Sequence, residues 1–165
     1  AVEQSTIAFG LRRFGFDAEA LDLGRAMFDL ATQYPEYRIP ECVGGYPRDA
    51  GTPGAYPRAN TPQLWNATSF PLFVHTLLGL QPVGPLELLI VDPVLPEWLP
   101  EVVLRGLRIA GATATLRFWR DGKGASHVEV VEKQGTLRVI KQPAPESLTA
   151  GVRDRAGALF DTLRH

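Results

Sequence analysis

In a chain of 165 residues, one carboxylate stands where chemistry could use it. Glu41 closes the stretch Tyr37-Arg38-Ile39-Pro40-Glu41, inside a Gly/Pro-rich loop that runs on to Tyr56-Pro57-Arg58-Ala59-Asn60-Thr61-Pro62-Gln63-Leu64-Trp65. Pro40 fixes its own φ and restricts Ile39 to extended backbone, so the Glu41 side chain is aimed by stiff chain. That is half of an acid–base site: a carboxylate able to take a proton from water, with its proton-donating partner still to be found. Loops this long without secondary structure are uncommon in a folded domain unless they are functional or disordered. The aromatic side chains of Tyr34, Tyr37, Tyr46 and Tyr56 argue against disorder, which needs low hydrophobicity. An ion pair of Glu41 with Arg38 or Arg48 is the structural alternative.

Elements on both sides must hold that loop. From Ser5 to Phe14, apolar Ile7, Ala8, Leu11 and Phe14 recur at three- and four-residue steps, which predicts a helix ending at Gly15. Asp17 then reads as the N-cap of a second helix, Ala18 to about Gln33, with Leu21, Met27, Phe28 and Leu30 inward and Glu19, Asp22, Arg25 and Asp29 outward. The two form a hairpin. Beyond the loop, Thr61 suits an N-cap with Pro62 at the first helical position, and this third helix should run to Gly79 with a kink near Pro71.

From Gln81 the pattern changes to short β-branched runs between Gly- and Pro-containing turns: Leu86–Val91, Glu101–Leu107, Thr113–Trp119, His127–Glu132 and Leu137–Gln142. They predict a small antiparallel β unit. Ala114, Leu116 and Phe118 should face its core and Thr115, Arg117 and Trp119 the solvent, with Asp121-Gly122-Lys123-Gly124 turning into the next strand. Ser147 to Arg164 carries Leu148, Val152, Leu159 and Leu163 at helical spacing and reads as a C-terminal helix. The expected class is α+β in two modules, residues 1–81 and 82–165, joined near Gln81-Pro82-Val83-Gly84-Pro85. Three helices bury their own faces poorly, so the helical module reads as the closing portion of a larger helical assembly whose remainder lies before Ala1.

Composition narrows the function classes. A 45% hydrophobic chain can build a core. Its 17 Lys plus Arg nearly balance its 18 Asp plus Glu, so no long-range field draws it to nucleic acid or to a membrane surface. A single cysteine, Cys42, permits no internal disulfide and gives no metal-site spacing, which fits a cytoplasmic protein. Ala1-Val2-Glu3-Gln4-Ser5 has no signal-peptide character and reads as a cut inside a longer protein. The apolar run from Leu64 to Leu80 is broken by Asn66, Ser69, Pro71 and His75 and is too short for a bilayer. His75 lacks a second ligand at metal spacing, and neither Gly44-Gly45 nor Gly122 with Gly124 makes a phosphate loop, so no cofactor is expected. Asn66-Ala67-Thr68 fits the glycosylation pattern but opens a predicted helix, and we read it as chance.

The order of these segments is itself informative. A helical hairpin is followed by Tyr37-Arg38-Ile39-Pro40-Glu41, Gly45-Tyr46-Pro47-Arg48, Tyr56-Pro57, Pro62-Gln63-Leu64-Trp65 and a long apolar helix, then by Leu88-Leu89-Ile90-Val91-Asp92-Pro93 and Leu95-Pro96-Glu97-Trp98-Leu99-Pro100. Over roughly Ser5 to Val139 this resembles the C-terminal part of bacterial glycogen-debranching-enzyme-like proteins, related to amylo-α-1,6-glucosidase. The resemblance implies the last helices of an α/α toroid of six helical hairpins, followed by the small β unit. It also implies inverting hydrolysis of α-glucosidic bonds, α-1,6 linkages above all, in glycogen-like or oligosaccharide substrates. Glu41 matches the Glu after Pro that acts as general base ahead of the last barrel helix, and the general acid would come from an earlier helix, before Ala1. The chain departs from the family ahead of its first hairpin helix. Relatives carry Trp-Pro-His-Asp-Asn there, where this chain has Ala1-Val2-Glu3-Gln4-Ser5.

Inverting hydrolysis sets a carboxylic acid and a carboxylate roughly 6.5 to 9.5 Å apart, with water between them. Glu41 can supply one of the two. Around it, Trp65, Tyr37, Tyr46 and Tyr56 could stack on the C–H face of a pyranose, and Gln63 could bond a sugar hydroxyl. Arg38, Arg48 and Arg58 could orient a carboxylate through paired hydrogen bonds. Core packing would equally explain Trp65, and solvated charge the arginines. The expected partners are an α-glucan or oligosaccharide, and either the N-terminal remainder of the catalytic domain or a second copy, through exposed helical faces. The rival reading is a non-catalytic carbohydrate-binding or interaction module.

Overall fold

Among the residues described, which are 1–47, 51, 53, 54 and 56–142 of the computed structural model, three α-helices precede six strands. The helix expected over Ser147–Arg164 lies outside them, as does Arg48. The fold is α+β, and it divides into two units, Ala1–Val74 and His75–His165.

Helix α1 (Val2–Arg13) packs against α2 (Asp17–Ala31), and its buried face shares only Ala8 with the apolar pattern. Ser5, Ala8 and Arg12 are buried, whereas Ile7 is 54% and Phe14 69% exposed. Of the apolar residues that marked the helix, Ala8 is thus buried while Ile7 and Phe14 face solvent. Small side chains at Ser5 and Ala8 allow close approach of the two helices, and the Arg12 guanidinium meets the Asp17 carboxylate at 2.6 Å across the hairpin turn. This charged contact leaves Asp17 as the first residue of α2 rather than its N-cap, in the turn where a carboxylate complements the helix dipole.

Small residues also set the contact between α2 and α3 (Leu64–Leu78). Ala20, Gly24, Met27 and Ala31 form the buried stripe of α2. A Cβ added at Gly24 would fall 1.8 Å from Cζ of Phe73, so the Phe73 ring lies directly on the α2 backbone. Phe28 completes the joint, meeting Phe70 edge-on at 5.2 Å and Phe73 at 5.9 Å. On α3 the same face carries buried Asn66 and Ser69.

The start of α3 differs from the expectation. The Thr61–Pro62 peptide is cis, and the first intrahelical bond runs from Ala67 N–H to the Gln63 carbonyl at 3.2 Å. Gln63 thus takes the place expected for Thr61, its Oε1 accepting from the Leu64 N–H at 3.2 Å. The helix runs through an exposed Pro71 and stops before Gly79, whose φ of 59° suits a residue without Cβ.

The division between the units falls within α3, before the boundary expected at residues 81 and 82. Its last turn belongs to the second unit, within which Asp92 N–H and Val94 N–H donate to the Leu78 and Leu77 carbonyls at 3.1 and 2.9 Å. That unit holds two three-stranded sheets. In one, β2 (Leu88–Val91) lies between antiparallel β1 (Gln81–Val83) and parallel β6 (Arg138–Lys141). The purely antiparallel unit expected from the sequence is therefore corrected: β2 is buried at all four residues, and such an unbroken apolar strand is typical of one with a parallel partner. The other sheet is the antiparallel meander of β3 (Glu101–Ile109), β4 (Ala112–Arg120) and β5 (Ser126–Gln134). Ala114, Leu116 and Phe118 of β4 are buried, as their alternation predicts.

At the β4–β5 turn, Asp121 Oδ1 accepts from the Lys123 and Ala125 N–H groups, each at 2.9 Å, and Oδ2 stands 2.8 Å from His127 Nε2. His127 also stacks on Trp119. The hydrogen bond from His127, with those from the backbone, holds the Asp121 carboxyl below its ordinary value.

Two outcomes follow from this packing. Gly24→Ala forces a methyl into the Phe73 ring, and overpacking of this kind should cost about 1–3 kcal/mol; an unchanged urea midpoint would contradict the contact. Because the folded pKa of Asp121 is depressed, its contribution exists above the unfolded value near 3.8 and disappears as pH falls through the folded value. Wild type should therefore melt above Asp121→Asn at neutral pH, and the gap should close in acid; a gap that persists in acid would speak against the charge as its source.

Candidate active site

Backbone hydrogen bonds fold the long loop back on itself. Glu41 N–H donates to the Asn60 carbonyl at 2.9 Å, Tyr56 N–H to Cys42 at 3.4 Å and Gly44 N–H to Gly54 at 2.8 Å, so the arms run antiparallel. Tyr34, three residues beyond α2, donates its hydroxyl to the Pro53 carbonyl at 2.6 Å, and burial pushes that phenol above its ordinary pKa. Ile39 and Pro40 are buried beneath the loop.

Two asparagines then fix Glu41. Asn66, in the first turn of α3, donates Nδ2–H to the Pro40 carbonyl at 2.6 Å and reaches the Glu41 carbonyl at 3.4 Å. Asn66 is 2% exposed, so its side chain is engaged in the protein and is not open to glycosylation. Asn60 grips the side chain, its backbone N–H and Nδ2–H reaching Glu41 Oε2 at 3.4 and 3.2 Å. Neither asparagine stood out as a site residue in the sequence. Their signal was a pair of amide donors bracketing Pro62-Gln63, one at the loop end and one in the helix.

Glu41 and Trp65 share the wall of a concavity of about 590 Å³, which Glu3, Asp29, Gln33 and Cys42 also line. Its described lining residues all belong to the first unit. Trp65 is 48% exposed, leaving indole surface open beside the carboxylate. The wall thus combines the carboxylates of Glu3, Asp29 and Glu41 with an aromatic face and the amide of Gln33, hydrogen-bonding groups beside a stacking surface of the kind that can hold a polyhydroxylated ligand.

The other expected site residues stand elsewhere. Tyr37, Arg38, Tyr56 and Gln63 are not among the described lining residues of this concavity. Tyr37 and Tyr56 are exposed, and Arg38 pairs with exposed Glu36 at 2.8 Å. Gln63 is taken up in starting α3. Arg38 thus stands in an ion pair of its own, and the side-chain hydrogen bonds described for Glu41 come from Asn60. Glu3 and Asp29, by contrast, join the wall without having been marked by the sequence.

His75 is half-buried in α3, and burial pushes its pKa below the ordinary histidine value. Among the described residues, no group of three or more His, Cys, Asp or Glu could hold a metal ion, and no helix is long and apolar enough to cross a membrane. Comparisons of the chain with protein-family models, with curated proteins and with solved structures each gave no match.

Asn66→Ala removes the donor that holds the Pro40 carbonyl. Leaving a buried acceptor unpaired should cost about 1–3 kcal/mol, and the Glu41 amide should exchange with deuterium faster than in wild type. Unchanged protection at Glu41 would mean that α3 does not anchor the loop.

Proposed function

We propose that Glu41 is the water-activating carboxylate of an inverting glycoside hydrolase, acting on α-glucosidic bonds in glycogen-like or oligosaccharide substrates, with α-1,6 linkages preferred. One observation carries the reading: a carboxylate on stiff backbone, gripped by Asn60, beside open indole surface in a single wall. The order of motifs around it supports the same conclusion, since it resembles the end of glycogen-debranching-type α/α toroids. In this reading Glu41 takes a proton from water as the water oxygen attacks the anomeric carbon, and a second carboxyl protonates the departing glycosidic oxygen.

The second carboxyl is assigned to chain outside these 165 residues, as the family resemblance implies. The exposed Ile7 and Phe14 side chains of α1 fit a helical face covered by that remainder of the domain, or by a second copy. The compartment we assign is the cytoplasm.

Hydrolysis of panose or a limit dextrin by the complete protein tests the assignment. Glu41→Gln should lower kcat by about 10²- to 10⁴-fold, the usual contribution of a positioned base, with KM little changed. Rates equal to wild type would refute the role of Glu41. Glu3→Gln and Asp29→Asn should leave most of the activity, and a collapse in either would move the general acid into this chain. Panose bound but never cleaved would favour the non-catalytic carbohydrate-binding reading.

A further inference from the structure

We propose that Asn60 is a positioning residue that divides the work of the two Glu41 carboxylate oxygens, a role that rests on the assignment of Glu41 as base. Both Asn60 donors converge on one oxygen: backbone N–H reaches Oε2 at 3.4 Å and Nδ2–H reaches it at 3.2 Å. Oε1 receives no hydrogen bond from a described residue. The backbone is closed in the same place by Glu41 N–H to the Asn60 carbonyl at 2.9 Å, so residue 60 binds residue 41 through main chain and side chain together. Two donors on one oxygen, beside a main-chain bond that holds the two residues in register, favour one orientation of the carboxylate. Oε2 is spent on orientation, and Oε1 is the oxygen that remains to accept a proton from water.

An amide suits this task better than a cation would. Arginine or lysine at residue 60 would pair with the whole carboxylate, drawing charge from both oxygens, whereas a neutral amide donates to one and leaves the anion intact. The short Asn side chain also keeps the donor on the backbone that is already bonded to Glu41. A 1 Å misplacement of a reacting group can cost on the order of 10²-fold in rate.

The test has two readouts. In ¹⁵N-labelled chain, the Asn60 side-chain amide signals should move in Glu41→Gln as strongly as those of any residue outside the substituted position; signals that stay put overturn the grip itself. In the complete protein with panose, Asn60→Ala should lower kcat by about 10- to 100-fold with KM within about twofold. Asn60→Asp, equal in size but presenting an acceptor, should fall at least as far, and kcat equal to wild type in both variants overturns the positioning role. Absence of cleavage by the wild-type complete protein, with the Asn60 signals still coupled to Glu41, removes the hydrolytic role of Glu41 and the catalytic meaning of the grip with it.

Discussion

The hydrogen bond from Asn66 to the Pro40 carbonyl is the constraint on which the site depends. It joins a loop without regular secondary structure to a helix whose place is fixed by packing. That place is set by the Phe73 ring lying on the bare backbone of Gly24, with Phe28 closing the edge of the joint. Two turns earlier on the same face of α3, Asn66 carries this order out to the loop. A missing side chain in α2 is thereby linked, through one ring and one amide, to the direction of a carboxylate.

The interaction has a cost, and the surroundings offset it. Asn66 is nearly completely buried, and its Oδ1 finds no protein partner among the described residues. A buried polar atom left this way is unfavourable, so the Nδ2 bond must recover that loss and the ordering of the loop besides. Pro40 lowers the amount to be recovered, because a residue with φ already fixed loses less freedom on folding. The antiparallel bonds between the loop arms and the Tyr34 hydroxyl contribute the remainder. Rigidity of the wall is in this sense distributed, with Asn66 at its centre.

Parts of this architecture were legible in the sequence because one local rule decided them. The alternation of Ala114, Leu116 and Phe118 fixed the inner face of β4, and all three are buried. Pro40 before Glu41 marked a carboxylate worth following. Other parts depended on partners that spacing does not reveal. The apolar spacing of Ile7, Ala8, Leu11 and Phe14 marked a helix but not its inner face: Ser5, Ala8 and Arg12 are buried, with the Arg12–Asp17 pair at the turn, while Ile7 and Phe14 are exposed. The parallel pairing of β6 with β2 was missed although the unbroken apolar run Leu88–Val91 is the pattern of a strand with a parallel partner; the distance in sequence between the two strands gave no hint of which would pair. Asn60 and Asn66 were passed over because a donor acquires a role only when the fold supplies its acceptor. Tyr37 and Tyr56 drew notice as aromatics near Glu41 in sequence, but the loop turns them outward.

The most direct measurement is a titration of the ¹⁵N-labelled protein with panose, followed residue by residue in amide and indole spectra. A wall built from Glu41 and Trp65 predicts saturable shifts at the Trp65 indole N–H and at the Glu41 and Cys42 amides, with the β3–β4–β5 sheet unmoved. Saturating panose that leaves those three signals in place, or shifts only the sheet, would contradict the account.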